Sequence, residues 1–508
     1  MPQFDFGNGS ETVFESLMFV SNIKAEYGSK AYLKSRGMSK ADVLIERRVH
    51  INLLLDILGL TGVKDCQVGN SLKRGISGGQ RRRLTLAKGL ISGPSVVFAD
   101  EPTSGLSSTD SELVIAALKD ICKYLSVTCI LVIHQPKLSV FQMFDHLMLF
   151  SQGHCVYNAS AVGAEAYFEQ LGFPVPKYTN PSDWFLDCIT PGAGEPEMFI
   201  SKYVDVAIEV KVTGPSETEI LENEIFRRGR KVVLLPWYYS TTLVTKRGML
   251  LMFRDLNTLG VIVGQSVLSG LLIGLIYLNA RDDPSKITYQ ISFIFIFIIT
   301  AALASMNNIP VLVEDRVVFQ NEWAEAYYGT APYMISRIAQ SMFVAVVTNL
   351  LFLAICYFMA GFEGSVFFYM FLLTLVTYST VDALISVFVC VSSGAQMANS
   401  LAALVITVMT LFNGYTSNTT SSPAGISWIN YLSPFFWAFW GSINALFEDY
   451  DFNQPGIPTD LNSYQKILNL YGFSADFKWY ALLIIFCYGI LFRFLQFLAL
   501  HYLSNLKK

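Results

Sequence analysis

The sequence predicts two units in one chain: a partial α/β domain followed by an all-α domain with six membrane-spanning helices. Hydrophobic residues make up 52% of the 508 residues and charged residues only 15%, a balance more apolar than that of a soluble globular protein. Up to about residue 231, short β-branched runs alternate with charged, helix-forming stretches, which is typical of an α/β domain. After Pro236 the chain changes to a series of long apolar stretches, which indicates membrane spans.

Charge and cysteine content exclude two classes of protein. Lys and Arg number 36 against 40 Asp and Glu, a net charge of −4, so no excess of basic residues can neutralise a run of phosphates. We therefore expect no nucleic-acid partner. The 8 cysteines include no C-x-x-C pair, and neither a disulfide framework nor a zinc site is indicated.

The predicted α/β domain covers residues 1–200, and a linker at 201–236 is punctuated by Gly and Pro and then charged. Ser95–Asp100 and Thr128–His134 are apolar runs that are too short for a membrane and typical of buried parallel strands. Each run ends in polar residues. Because α/β sheets bind ligands beyond the carboxyl ends of their strands, we expect the functional site there.

The predicted membrane domain covers residues 237–508. Its six apolar stretches come near the roughly 20 residues that cross about 30 Å of hydrocarbon. They lie at about 256–278, 287–313, 335–362, 366–391, 395–415 and 479–503. Basic residues before the first stretch and after the last predict that both ends face the cytosol, which places the loop at 416–478 outside.

This predicted external loop carries two further patterns. Asn418-Thr419-Thr420 is an N-glycosylation acceptor pattern, although three residues can also match by chance. The apolar half of the loop is expected to form short helices at the membrane interface, interrupted at Pro434. Within the spans, Asp382 and Arg493 are charged and thus functional candidates. For Arg493 the alternative is snorkelling to the interface or a structural contact.

The first chemical motif is Ser77-Gly78-Gly79-Gln80, directly before a helix-forming stretch. Backbone N–H groups at the start of a helix attract phosphate, and glycines let the phosphate approach closely. A glycine turn before an ordinary helix remains the alternative.

The second motif is the pair Asp100-Glu101 at the end of the first predicted strand, with His134 at the end of the second. One carboxylate can hold Mg²⁺ through water, the other can polarise an attacking water, and the imidazole can contact a phosphate. Taken singly, the carboxylates could instead cap a helix, and His134 could be a hydrogen-bonded core histidine.

Together and in this order, these segments resemble the motifs of ATP-binding-cassette transporters. ISGGQRRR resembles the signature motif, VVFADEPTSGL the Walker B motif with its D-loop, and VIHQP the H-loop. Asn180–Phe185 resembles an element of the G (White) subfamily, whose reversed order, with the nucleotide-binding domain before six spans, also matches. The resemblance covers nearly the whole chain and implies a nucleotide-binding domain of the P-loop NTPase type.

The resemblance also implies roles. Ser77, Gly78, Gly79 and Gln80 would face ATP bound on a partner protomer, Asp100 would hold Mg²⁺, Glu101 would be the general base and His134 the switch histidine. Gln3, in a segment similar to the Q-loop, is a candidate contact to Mg²⁺ and water. The polar stretch from Glu314 to Tyr328 would be a coupling helix, with a solvated loop as the alternative.

The sequence departs from the family pattern at two points. No G-x-x-x-x-G-K-[ST] occurs in the 508 residues, so the Walker A loop that cradles the phosphates is missing. Either the chain is an N-terminally shortened form of a longer protein, or the protein lacks this half of the site. Ser107 stands where the family's D-loop usually has Asp.

These inferences together predict a half-transporter. We expect an integral protein of a lipid membrane, the plasma membrane rather than an organelle, that works as a homo- or heterodimer. It would couple ATP hydrolysis to export of an amphipathic or lipid-like substrate. Two alternatives are a catalytically silent subunit that supports a complete partner, and a pump or channel that uses no nucleotide.

Overall fold

A computed structural model describes most of the chain and divides it into two compact units, residues 1–234 and 235–508. The described residues are 9–24, 40–69, 74–91, 94–125, 127–192, 194–209, 236–420, 422–454 and 456–503. Gln3 and most of the predicted linker lie outside these ranges.

The first unit combines helices with two small sheets. Its elements are α1 (Val13–Lys24), α2 (Lys40–Ile57), α3 (Gly78–Leu90), β1 (Val96–Asp100), α4 (Ser108–Leu125), β2 (Thr128–Val132), α5 (Leu138–Phe141), β3 (His146–Ser151), β4 (His154–Ser160), α6 (Ala164–Gln170), α7 (Pro181–Ile189) and α8 (Pro196–Glu209). β1 and β2 pair in parallel, with Val96 opposite Thr128 and Asp100 opposite Val132, as the sequence predicts. β3 and β4 pair antiparallel.

The β1–β2 sheet is covered on one face among the described residues. Val97 and Ala99 are buried, whereas Phe98, Ile130 and Val132 on the opposite face are exposed. The expectation of buried strands is therefore met on one face of this sheet among the described residues. Alternate residues of a strand point to opposite sides, so the apolar character of the uncovered face is unusual for a surface.

The second unit is helical. Its elements are α9 (Trp237–Arg254), α10 (Leu256–Ile276), α11 (Ile287–Leu303), α12 (Ile309–Ala324), α13 (Thr330–Met359), α14 (Phe367–Val391), α15 (Ala395–Leu411), α16 (Ala424–Ser427), α17 (Pro434–Phe447), α18 (Tyr464–Tyr471) and α19 (Lys478–Leu498). Within the described residues, five helical segments are long and apolar enough to cross a membrane. They coincide with five of the six predicted spans.

The remaining predicted span, 395–415, is shorter than expected. Its helix α15 has 17 residues, or about 26 Å at 1.5 Å per residue, somewhat less than the hydrocarbon thickness of about 30 Å. The helix ends because the chain turns from Phe412 onwards, and the Asn413 carboxamide oxygen accepts the backbone N–H groups of Tyr415 and Thr416. Six spans thus remain a prediction.

The second predicted span continues beyond its expected end at residue 313. A 3₁₀ turn at Ala304–Asn308 joins α11 to α12, and α12 extends to Ala324, so the predicted polar connection is largely helical. Pro310 lies in the first turn of α12, where its missing N–H costs no hydrogen bond.

The predicted external loop contains a helix that is buried. α17 begins at Pro434, and 13 of its 14 residues are buried within the unit. The Gly441 position shows why the packing is close: a Cβ there would lie 2.6 Å from the Tyr369 hydroxyl oxygen. The position of this segment at the membrane interface stays a prediction, while the interruption at Pro434 is confirmed as a helix start.

Candidate functional site

Ser77 precedes the first turn of α3 and caps it. The Gln80 backbone N–H donates to Ser77 Oγ (3.2 Å), and the Ser77 backbone N–H donates to Gln80 Oε1 (2.9 Å). This reciprocal capping box satisfies two groups that a helix start leaves unpaired. Because Ser77 Oγ acts as an acceptor in the cap, its own hydroxyl proton stays available to donate to a ligand.

The two glycines of this motif have different surroundings. A Cβ at Gly78 would meet no heavy atom within 4 Å, whereas a Cβ at Gly79 would lie 2.6 Å from Asp110 Oδ1. Gly78 therefore leaves an open approach to the N–H groups of the helix start, where anions are favoured. Gly79 is required for packing, because Asp110 at the start of α4 fills the space beside it.

Asp100 and Glu101 lie at the carboxyl end of β1, as predicted. Glu101 donates its backbone N–H to the Val132 carbonyl of β2 (2.9 Å), and its φ of +43° is in the left-handed region. For a residue other than glycine, this conformation costs on the order of 1–3 kcal/mol and persists only where surrounding contacts enforce it. The strand therefore ends in a turn at Glu101.

His134 follows the neighbouring strand, so the strand pairing brings its segment to the same edge as Asp100 and Glu101. Its side chain is exposed, and the next residue, Gln135, also has a positive φ of 41°. The Pro136 carbonyl then accepts hydrogen bonds from Asn180 Nδ2 (2.8 Å) and Ser182 Oγ (3.0 Å). These two contacts fix the chain just after His134.

Arg82 in α3 joins the helix to the end of β1. Its Nη2 donates to the carbonyls of Asp100 and Glu101, each at 3.0 Å, and its Nε donates to the Pro102 carbonyl at 3.1 Å. The side chain is 4% exposed. A buried arginine is rare unless its donors are satisfied, and here consecutive carbonyls satisfy them.

The arrangement suits a nucleotide with Mg²⁺. Open space at Gly78 and the helix start suit phosphate oxygens, and Asp100 offers an exposed carboxylate. Clusters of three or more His, Cys, Asp or Glu that could hold a metal are absent from the described part of the chain. Mg²⁺ does not need one, because it keeps several waters and binds one or two carboxylates together with substrate phosphates.

The structure thus brings most of the predicted residues into one unit. Asp100, Glu101 and the His134 segment share one sheet edge, and Arg82 links that edge to the helix that Ser77 caps. Gln3 lies outside the described residues. Arg82, Asn180 and Ser182 are recognisable as positioning residues only from the structure, although the sequence does show a run of arginines after the glycines.

The second unit contains a cavity of about 160 Å³ among α10, α11, α13 and α14. Polar side chains contribute much of its lining, namely Gln265, Ser266, Ser269, Thr300, Asn307, Thr348, Asn349 and Tyr378. Asn307 Nδ2 donates to Gln265 Oε1 across it (2.9 Å). Sites for drug-sized ligands measure roughly 300–1,000 Å³, so this cavity is too small for an amphipathic substrate.

Comparisons with known protein families match both units. Residues 1–104 match the family model described as ABC transporter, and residues 134–204 and 239–447 match two models described as ABC-2 type transporter. The α/β unit with its helix-start and carboxylate motifs, followed by apolar helices, therefore defines an ATP-binding-cassette transporter.

Similarity to curated proteins identifies the subfamily. The chain is 28% identical over 467 residues to the broad substrate specificity ATP-binding cassette transporter ABCG2 of Bos taurus, covering 85% of this chain and 68% of that protein. It is 25% identical over 525 residues to ABC transporter G family member 12 of Dictyostelium discoideum, covering 98% and 78%. For the Sus scrofa ABCG2 protein it covers 64% of the relative's length. The chain belongs to the G subfamily of ATP-binding-cassette transporters.

Proposed function

We propose that the chain is a half-transporter that dimerises and couples ATP binding and hydrolysis to the export of an amphipathic or lipid-like substrate. The observation that carries this proposal is the Arg82 connection: one buried side chain links the phosphate-attracting start of α3 to the carboxylate-bearing end of β1. A site with both features in one α/β unit suits phosphoryl transfer, because catalysis of that reaction depends mainly on positioning the reactants and stabilising the charge of the transition state.

In this proposal each residue has a distinct task. Ser77 and the backbone N–H groups of Gly78 and Gly79 hold the phosphates of ATP bound by the partner protomer. Glu101 orients a water and takes its proton as the water oxygen bonds to the γ-phosphorus and the bond to ADP breaks. His134 donates a hydrogen bond to the γ-phosphate. Mg²⁺, held by Asp100 through water, would neutralise phosphate charge.

The membrane unit supports a dimer. The cavity of about 160 Å³ is below the size range of ligand sites, and a second protomer, identical or different, can complete a larger path. The proposed substrate class rests on the resemblance to the G subfamily, and the relative from Bos taurus is named for broad substrate specificity. We place the dimer in the plasma membrane with the α/β unit in the cytosol.

A second candidate function is a silent subunit. The 508 residues contain no G-x-x-x-x-G-K-[ST], so the described site offers α3 to a partner's nucleotide but shows no Walker A loop for its own. Such a chain would contribute the helix start and the membrane helices, while a complete partner half-transporter would perform hydrolysis.

The two functions can be separated by measuring ATP hydrolysis in lipid nanodiscs. The chain is assayed alone and together with a G-subfamily partner that has a complete Walker A loop. In the first, a form of the chain that includes a Walker A loop hydrolyses ATP without another partner, and Glu101→Gln abolishes that turnover but spares ATP binding. In the second, the chain alone is inactive, and Glu101→Gln leaves the mixed dimer active. Glu165→Gln, an exposed carboxylate in α6, is the matched control.

Gly78→Asp tests what the two candidates share. Since a Cβ at Gly78 meets nothing within 4 Å, the fold accommodates the substitution, while the carboxylate repels phosphate. We expect Gly78→Asp to remove turnover in either case and the neutral Gly78→Asn to retain more. Equal turnover of Gly78→Asp and the unsubstituted dimer would refute nucleotide contact at this helix start.

A further inference from the structure

Arg82 contacts the backbone on both sides of Glu101. Its guanidinium donates to the carbonyls of Asp100, Glu101 and Pro102, which are consecutive in the chain. Three carbonyls in a row cannot converge on one side chain in a regular strand, because successive carbonyls alternate in direction. The convergence on Arg82 therefore depends on the turn that Glu101 makes.

Glu101 itself has the conformation that needs such support. Its φ is +43°, in a region that non-glycine residues rarely occupy. Its N–H donates to the Val132 carbonyl, and its carbonyl accepts the Ser104 N–H (3.1 Å) as well as Arg82. The direction of the Glu101 side chain follows from this backbone, so the contacts that hold the backbone also aim the carboxylate.

A second contact joins the same two segments. Asp110, at the start of α4, lies against Gly79 of α3 so closely that a Cβ would come within 2.6 Å of its carboxylate. Asp110 is held in turn by Ser107, whose Oγ donates to Asp110 Oδ2 (2.8 Å) and accepts the Asp110 backbone N–H (3.1 Å). The chain from Asp100 to Asp110 is thus attached to α3 at both ends.

We propose that Arg82 is a positioning residue that holds the turn at Asp100–Pro102 against α3, so that the helix and the Glu101 carboxylate move as one body. This inference rests on the proposed function, in which α3 faces the partner's ATP while Glu101 serves the chain's own site. Arg82 then connects the two ATP sites of a dimer through one chain. When α3 shifts on contact with the partner's nucleotide, the Glu101 carboxylate changes its direction in the chain's own site.

Hydrogen–deuterium exchange of the full chain in nanodiscs without nucleotide tests the structural part. In Arg82→Met we expect the amides of Glu101 and Ser104 to exchange about tenfold faster or more, because the carbonyls lose buried donors. Lysine offers a single ammonium, which cannot span the three carbonyls as the planar guanidinium does. In Arg82→Lys we therefore expect exchange at these amides to be faster than in the unsubstituted chain but slower than in Arg82→Met. Unchanged exchange in the β3–β4 hairpin shows that the unit remains folded.

The matched control is Arg81→Met, the preceding arginine of the same helix. Arg81 Nη2 donates to the Val68 carbonyl (3.2 Å), away from the turn, so exchange at Glu101 and Ser104 should match that of the unsubstituted chain. Faster exchange there in Arg81→Met would mean that any loss of an arginine loosens the turn, and unchanged exchange in Arg82→Met would mean that Arg82 does not hold it. Either result overturns the proposal.

Steady-state ATP hydrolysis by the dimer tests the catalytic part. Because Arg82 is buried and bonded to backbone, its loss should lower the maximal rate by about tenfold or more, with an unchanged KM for ATP and partial rescue in Arg82→Lys. Faster exchange with an unchanged rate would overturn the link to catalysis. If the unsubstituted dimer hydrolyses no ATP, the proposed ATPase function fails, and the exchange result alone decides whether Arg82 holds the turn.

Discussion

The charged pair Asp382–Arg493 offers the sharpest test of packing in the membrane unit. The two side chains lie on α14 and α19, 111 residues apart in sequence, and Arg493 Nη2 contacts Asp382 Oδ2 at 2.6 Å. Asp382 is 2% exposed and the Arg493 side chain 14%. Asn308 Nδ2 donates to Asp382 Oδ1 (2.9 Å), and Arg493 Nη1 donates to Gln496 Oε1 (2.9 Å). The pair is therefore buried and also hydrogen-bonded.

Removing one partner of such a pair should be costly. Breaking a buried ion pair leaves an uncompensated charge and costs about 3–5 kcal/mol. We expect that loss for Arg493→Met and for Asp382→Asn. Because contacting residues couple by roughly 0.5–3 kcal/mol, the double variant should lose clearly less than the sum of the two single losses.

A neighbouring pair on α19 provides the control. Lys478 Nζ contacts Glu448 Oε2 at the same distance of 2.6 Å, but the two side chains are 34% and 30% exposed. A partly exposed pair contributes only about 0–1 kcal/mol. Lys478→Met removes a charge from the same helix and should therefore change stability little.

Pulse labelling of Cys390 with a maleimide measures the effect in the full chain. Cys390 is buried on α14, so it reacts when the bundle opens, and each 1.36 kcal/mol changes the opening constant tenfold. Arg493→Met should speed labelling by roughly two to four powers of ten and Lys478→Met by less than about sixfold. Equal labelling rates for Arg493→Met and Lys478→Met would refute the claim that burial makes the pair strong. The claim would also fail if the loss of stability in the double variant equalled the sum of the losses in the two single variants.

Two further predictions concern other parts of the chain. Gly79→Ala should destabilise the first unit by about 1–3 kcal/mol, because the added Cβ meets Asp110, while Gly78→Ala should have little effect. Thermal unfolding compares the two variants, and equal unfolding midpoints would contradict the contact between Gly79 and Asp110. If the loop at 416–478 is external, the protein expressed in mammalian cells should give a glycosylated band on a gel. Both Asn418→Gln and endoglycosidase treatment should remove this band, and a band that neither affects would contradict the predicted orientation.

The sequence predicted the parts of the site that depend on local pattern. Both strands and their parallel pairing follow from short apolar runs, and the polar residues that end them meet at one edge because parallel strands end together. The helix start at Ser77 follows from a capping residue with Gln80 three positions later. Each of these signals lies within a few residues of the feature that it predicts.

The parts that could not be predicted depend on contacts between distant segments. Arg81, Arg82 and Arg83 look alike in sequence, and only the direction of each side chain from α3 assigns Arg82 to the turn after β1. Of the two interpretations of Arg493, snorkelling or a structural contact, the structure shows the structural contact, because Asp382 lies beside it. No periodic pattern can show that two charges 111 residues apart are neighbours.

These contacts also limit what loss of activity can prove. Gly79 lies both at the proposed phosphate contact and against Asp110, and Arg82 is buried in the same helix, so a variant at either position can lose turnover through packing alone. Gly78 differs, because the fold leaves it open space and its only evident constraint is the approach of a ligand. A comparison of Gly78→Asp with Gly79→Ala therefore separates nucleotide contact from packing: the first should remove hydrolysis from a stably folded unit, and the second should lower stability together with hydrolysis.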